Sequence, residues 1–209
     1  MKNKNQINPY NICLWGPTSE CDNCPIKGYL KCHFKKRYLL NFIVLFLLFA
    51  IPAVVGVILA GYGWYLLGWF AFSIVFFEFW EIRILCSHCP YYAEKSRLLH
   101  CFGNYLCFKA WRFHPEPMTR SEKIQFLLGV IIFFGYPFIF MVLGGQFIFA
   151  ILSAIGVLVC LGLLIWRRCP RCVNLSCPLN RVPKKVVDAF LKRNPVMRKA
   201  WEKKGYQLD

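Results

Sequence analysis

Hydrophobic and polar positions segregate along this chain on a scale much longer than the period of a strand or of an amphipathic helix. Residues 39–60, LLNFIVLFLLFAIPAVVGVILA, and 62–80, YGWYLLGWFAFSIVFFEFW, are two apolar runs separated by Gly61. Residues 124–143 and 146–166 repeat the arrangement across Gly144-Gly145. At 1.5 Å of helical rise per residue, each run reaches about 30 Å, the thickness of a bilayer's hydrocarbon core. The pattern predicts an all-α integral membrane protein with four transmembrane helices in two antiparallel hairpins, 39–80 and 124–166. Pro52 is expected to kink the first helix. Trp64, Tyr65 and Trp69 suit one membrane interface and Trp80 the other.

Three polar stretches flank and separate the hairpins: 1–38, 81–123 and 167–209. They contain every one of the 26 Lys and Arg residues, set against 10 Asp and Glu, while the tips of both hairpins contain none. Basic residues stay on the cytoplasmic side. Both termini and the central loop are therefore expected in the cytoplasm, with the chain in a plasma or inner membrane. The polar start, MKNKNQINPYN, does not read as a cleavable leader, so the first apolar helix is expected to be its own insertion signal. Anionic headgroups of the bilayer are the expected counterpart of the charge, and no nucleic-acid partner is expected.

The hairpins also match in detail. Pro137 lies thirteen residues into its run, as Pro52 does counted from Leu39. Trp166 and Trp80 end the second helix of each hairpin, and Cys169-x2-Cys172 follows one as Cys86-x2-Cys89 follows the other. The offset between matched features is about 83 to 86 residues. This reads either as a duplicated hairpin with its C-x2-C, giving a parallel repeat about the membrane normal, or as the sameness of any four-helix membrane protein.

Eleven of the twelve cysteines lie in the polar stretches. Thiols on the cytoplasmic side stay reduced, which points to metal binding or thiol chemistry. They form three groups: Cys13, Cys21, Cys24 and Cys32; Cys86, Cys89, Cys101 and Cys107; and Cys169, Cys172 and Cys177. Each contains one C-x2-C, a turn that aims two sulfurs at one centre, and each has trailing cysteines to complete a shell. The stretches contain few aliphatic residues, so a metal staple is expected in place of a core. In the central stretch Tyr91, Tyr92, Phe102, Tyr105, Phe108 and Trp111 are expected to supply some packing. Cys24, Cys89, Cys169 and Cys177 are each followed by proline, as where a chain leaves an iron–sulfur cluster. Cys-Pro-Arg-Cys at 169–172 also reads as half of a zinc knuckle, although no single group carries the second half. The cofactor is read as an iron–sulfur cluster or as zinc. The third group needs a fourth ligand from elsewhere. Cys160, more than about 13 Å up the helix from Cys169, is read as a buried small hydrophobe.

His88, inside a C-x2-C, is expected as an outer-shell donor. His100, before Cys101, is a substitute ligand, and His33 and His114 are read as non-ligands. Glu78 is an interface carboxylate, either paired with Arg83 or a proton acceptor for a lipid-soluble substrate. No histidine lies in an apolar run, which excludes a bis-histidine haem, and no charge lies near the midplane to relay ions. Beyond residue 183, Val186, Val187, Phe190 and Leu191 share one helical face. After Asn194-Pro195, a start signal, Val196, Met197, Ala200 and Trp201 share another. Ringed by lysine and arginine, these helices are expected on an anionic membrane surface, at roughly 1 kcal/mol per basic residue; the alternative is a solvated tail whose apolar face packs on the cysteine stretches.

In topology and in its Cys-Pro pairs the chain resembles four-helix membrane ferredoxin-type subunits that accompany periplasmic nitrate reductases. The resemblance implies electrons passing from quinol through cytoplasmic Cys-Pro motifs. It does not extend to the ferredoxin run C-x2-C-x2-C-x3-C-P, which is absent. Two function classes follow: an iron–sulfur protein moving electrons between a quinone and a soluble redox partner, or a non-catalytic zinc-stapled scaffold that docks a soluble complex.

Overall fold

The computed structural model describes residues 8–16, 21–22, 24–101 and 103–209. Pro17 and Phe102 lie outside the described residues. The fold is mainly helical. Helix α1 (Lys36–Leu59) is followed by α2 (Tyr65–Ile74), which continues without a break through a π-helical stretch, Val75–Trp80, into the single turn α3 (Glu81–Ile84). Helix α4 (Arg120–Leu143) precedes α5 (Phe147–Leu163), which also continues as a π-helix, Leu164–Arg168. Two short helices, α6 (Lys184–Arg193) and α7 (Pro195–Lys203), end the chain. The central stretch adds a feature that the sequence pattern did not reveal, an antiparallel hairpin of β1 (Leu98–His100) and β2 (Tyr105–Phe108).

Three helical stretches are long and apolar enough to cross a membrane: Lys36–Leu59, Arg120–Leu143 and Phe147–Arg171. Their outward faces, with Ile51 and Ile58 on α1, Ile131 on α4 and Leu158 on α5, leave large aliphatic side chains exposed. Such a surface suits a helix that faces lipid. The stretch expected at 62–80 as a fourth span is shorter as an α-helix and reaches onward through its π turns. Helix α4 starts at Arg120, earlier than the apolar run, because Thr119 and Glu122 form a capping box that satisfies two of the free N–H groups of the first turn.

The two hairpins are built alike. The chain leaves α1 by hydrogen bonds from Gly61 N to Ile58 O and from Tyr62 N to Val57 O; it leaves α4 by bonds from Gly145 N to Val142 O and from Gln146 N to Met141 O. Gly61 and Gly145 take φ of +81° and +69°, the left-handed exit that glycine adopts without a Cβ penalty. Pro52 and Pro137 each remove the N–H that would bond the carbonyl four residues back, freeing Leu48 O and Phe133 O. Both carbonyls are covered by the neighbouring helix. Trp69 Nε1 donates to Phe133 O at 2.9 Å. Gly156 of α5 presses so close to α1 that a Cβ there would stand 2.4 Å from Leu48 O. The first helix of each hairpin thus leans on the second helix of the other, around an aromatic core containing Phe49, Trp69 and Phe133.

The polar stretches were expected to lack a core, and this expectation fails. Ile12, Leu14, Ile26 and Leu30 from the first stretch, Tyr91, Tyr92, Leu99 and Phe113 from the second, and Val173, Phe190 and Leu191 from the third bury together as one cluster. None of the stretches has enough apolar surface alone; three from distant parts of the chain do. Phe108 and Trp111 remain exposed, and Tyr105 is half-buried and stacks on Phe34. Helices α6 and α7 are corrected too. Their apolar faces, with Phe190, Leu191, Met197 and Trp201 buried, complete this protein core. Those faces are therefore not free to lie on a bilayer.

Replacing Gly156 by valine should force α5 away from Leu48 and lower stability in detergent by about 1–3 kcal/mol, the usual cost of overpacking. Gly162→Ala on the same helix, where nothing lies within 4 Å of an added Cβ, should leave the melting temperature unchanged. Equal losses in the two variants would contradict the packing described.

Candidate metal centre

The cysteine layer is built from one repeated local unit. Proline at the second position of a β-turn pre-sets the backbone. Each of the four Cys-Pro pairs opens such a turn. The N–H three residues on donates to the cysteine carbonyl: Lys27 to Cys24 at 3.0 Å, Tyr92 to Cys89 at 2.8 Å, Cys172 to Cys169 at 3.3 Å and Asn180 to Cys177 at 3.0 Å. The C-x2-C pairs 21–24 and 86–89 close by the same bond, Cys24 N to Cys21 O and Cys89 N to Cys86 O.

Backbone N–H groups stand near several sulfurs: Gly103 N donates to Cys101 Sγ at 3.4 Å, and the N–H groups of Tyr91, Asn174 and Leu179 act to lower the Cys89, Cys172 and Cys177 thiols against the effect of burial. Two asparagine side chains also donate to sulfur. Asn104 Nδ2 lies 3.1 Å from Cys86 Sγ, and Asn194 Nδ2 lies 3.3 Å from Cys13 Sγ. N–H donors favour thiolate over thiol, since a thiol sulfur is a weak acceptor.

Burial acts in the opposite direction. Desolvation pushes Cys86 and Cys89 well above the usual thiol range. It pushes Cys32 and Cys172 up to about 12 and Cys177 up to about 11, each further raised by neighbouring sulfurs. Sulfurs held by N–H donors yet buried and mutually repelling reach the thiolate state when a cation shares their charge, as metal binding with proton release does.

The three sequence groups become two neighbourhoods. In the first, Cys13, Cys21, Cys24 and Cys32 interact with one another. His33, read from sequence as a non-ligand, stands with Nε2 3.6 Å from Cys21 Sγ. Adjacency to Cys32 was the one signal available for it. Asn194 anchors this group from the far end of the chain: besides its sulfur contact, Asn194 Oδ1 accepts from Cys13 N at 2.7 Å and Nδ2 donates to Phe190 O at 2.7 Å. The second neighbourhood merges the central and C-terminal groups. Cys89 is raised by Cys101, Cys172 and Cys177 in turn, and Cys172 by Cys177, Cys101 and Cys169. Lys31 N bonds Arg171 O at 2.9 Å and Tyr91 Oη bonds Lys31 O at 2.7 Å, which ties the two neighbourhoods together.

Several expected roles change. Glu78 does not pair with Arg83; it accepts from Cys107 Sγ at 3.3 Å, while Arg83 lies over the ring of Trp111. His88 is neither sulfur ligand nor sulfur donor. Its Nδ1 lies 2.7 Å from Glu116 O and its Nε2 3.5 Å from Glu122, so it joins the knuckle to the cap of α4. His100 Nδ1 is engaged by Glu94 at 3.0 Å, which removes it as a substitute ligand through that atom. Cys160 is buried within α5, as expected. Sequence reasoning missed Glu81, a buried carboxylate beside Asn104.

Among the described residues, no three His, Cys, Asp or Glu side chains stand together as a group that could hold a metal ion. No family model, curated protein or solved structure matches the chain.

Asn194→Ala should unpair the N–H of Cys13 and the carbonyl of Phe190, at about 1–3 kcal/mol for each group left buried. Limited proteolysis should then cut within α6 and α7 at least several-fold faster than in the parent. Unchanged protection would show that the apolar face of α6 holds this end without the asparagine.

Proposed function

We propose that this chain is a membrane-bound, cysteine-ligated metalloprotein that transfers electrons through iron–sulfur centres at the cytoplasmic face of the membrane. The observation that supports it best is the set of N–H donors aimed at buried sulfurs, since that hydrogen bonding stabilises and tunes iron–sulfur ligands. In this reading the stretch 62–80 is the fourth span, and its backbone continues without a break into Glu81–Ile84 at the cytoplasmic face. The basic residues on either side of the hairpins are read as keeping both termini inside. Electrons pass between a soluble carrier and a quinone at the inner leaflet. Glu78, with the Cys107 thiol beside it, is the carboxylate placed where the membrane meets the layer.

One observation favours a second reading. The C-x2-C turns of the central and C-terminal groups lie in one neighbourhood, and two such knuckles are the usual make-up of a structural zinc site. Zinc would make the layer a rigid platform that docks a soluble complex.

Protein purified without oxygen separates the two readings. Iron with acid-labile sulfide and broad visible absorption supports electron transfer; colourless protein with stoichiometric zinc supports the platform. Protein with neither, purified without chelator, would overturn both. The orientation has its own check. A membrane-impermeant maleimide applied to intact cells should leave all eleven polar-stretch cysteines unlabelled until the membrane is opened. Labelling of Cys21 or Cys169 from outside would reverse the topology.

A further inference from the structure

The tail helices spend their apolar faces on the core of the polar layer, but positive charge also gathers where α1 and α5 enter that layer. Both helices belong to stretches long and apolar enough to cross a membrane. Tyr38 lies in the first turn of α1, and Arg168 is the last residue of the π-helical end of α5. Leu40, two residues further into α1, and Trp166, two residues before Arg168, are both exposed. An exposed tryptophan at the end of a span sits at headgroup level, and the Arg167 guanidinium lies over its ring.

Three cations meet at this level. Lys31 Nζ lies 4.7 Å and Arg168 Cζ 4.9 Å from the centre of the Tyr38 ring. Lys31 N donates to Arg171 O at 2.9 Å, which fixes the first polar stretch against the turn that follows α5. Lys31 is half-buried and stands in the field of both Arg168 and Arg171. Among the described residues, none of the three enters an ion pair with a carboxylate. Arg171 also lines an open cleft with Lys27 and Arg181, where Asp22 offsets Lys27 alone. An aromatic face attracts a cation without cancelling its charge. One tyrosine therefore leaves two cations and their mutual repulsion uncompensated, and charges drawn partly out of water are ordinarily paired.

We propose that Lys31, Arg168 and Arg171, gathered at Tyr38, hold a phosphate group, supplied at this depth by the headgroup of an anionic phospholipid. The guanidinium fork matches two phosphate oxygens, and the lysine adds a point charge. Basic pockets between the membrane ends of helices take headgroups of this kind. The donors come from both hairpins, Tyr38 from the entry to the first and Arg168 from the exit of the second, so a bound headgroup joins the two halves of the chain at the membrane surface. The site rests on α1 and α5 crossing the membrane and not on what the cysteines bind.

The full chain in neutral detergent is titrated with phosphatidylglycerol, with phosphatidylcholine and with inorganic phosphate, and bound lipid is counted by native mass spectrometry. One phosphatidylglycerol should be retained, about 10-fold or more tighter than phosphatidylcholine. Removing two cations, in Lys31→Gln with Arg168→Gln, should weaken it about 10-fold or more, with the melting temperature in lipid-free detergent unchanged. Arg171→Gln, at an exposed side chain whose backbone bond is kept, should weaken it several-fold and decides the matter if the double variant does not fold. Lys199→Gln with Lys203→Gln, which removes the same charge from α7, should leave binding as in the parent. Equal loss in the two double variants, or equal binding of the two lipids by the parent, overturns the site in favour of diffuse attraction. Displacement of the lipid by millimolar inorganic phosphate overturns the headgroup as the source and keeps the phosphate site.

Discussion

The polar layer depends on the burial of sulfur among N–H donors. A thiol left to itself in such surroundings stays protonated, and its neighbours raise it further. Cys89, with Cys101, Cys172 and Cys177 around it, illustrates the conflict. Positive charge eases it: Arg193 acts to lower Cys13 and Cys32, Arg181 acts to lower Cys169, and Lys109 stands close enough to Cys89 to feel its charge. The hydrophobic cluster around the sulfurs therefore does two things. It holds three distant stretches of chain in register, and it removes the water that would otherwise stabilise the thiolates.

This division of labour changes what a metal would contribute. A small domain without a core is unfolded until its ion binds. Here Phe190, Leu191, Tyr92 and Leu99 already bury against one another. A metal, if bound, would then act on turns whose backbone is already closed by the Cys-Pro hydrogen bonds. Such pre-organisation lowers the conformational entropy that remains to be lost on binding.

The membrane part was largely legible because length and apolarity decide it. The prolines that free one carbonyl in each hairpin were legible, as were the cysteine turns from their spacing. The partners of these features were not. Nothing local announces that Trp69 caps the carbonyl freed by Pro137, or that Asn194 reaches back to Cys13 across most of the chain. The core of the polar layer was missed for a related reason. Its apolar residues are too few in any one window to signal burial, and they sum across three windows. Glu81 was passed over because an acidic residue at a helix end next to basic ones reads as solvated. The amphipathic pattern of α6 and α7 was legible as a buried face but left lipid and the cysteine stretches as rival coverings, since periodicity cannot tell lipid from protein.

The repeat explains why the two π-helical ends matter. A π turn packs an extra residue into the helix and shifts the angle at which the next residue leaves. In each hairpin it falls between the last membrane-facing residues and the C-x2-C, at Val75–Trp80 and at Leu164–Arg168. An α-helix continued to Cys86 and to Cys169 would set the two turns by lipid-facing periodicity alone. The widened turns release that constraint, so α2 and α5 can keep their contacts with Phe133 and Leu48 while their ends converge on each other. The freed carbonyls at the prolines and the cysteine turns at the helix ends thus depend on the same arrangement, in which the first helix of each hairpin is completed by the second helix of the other.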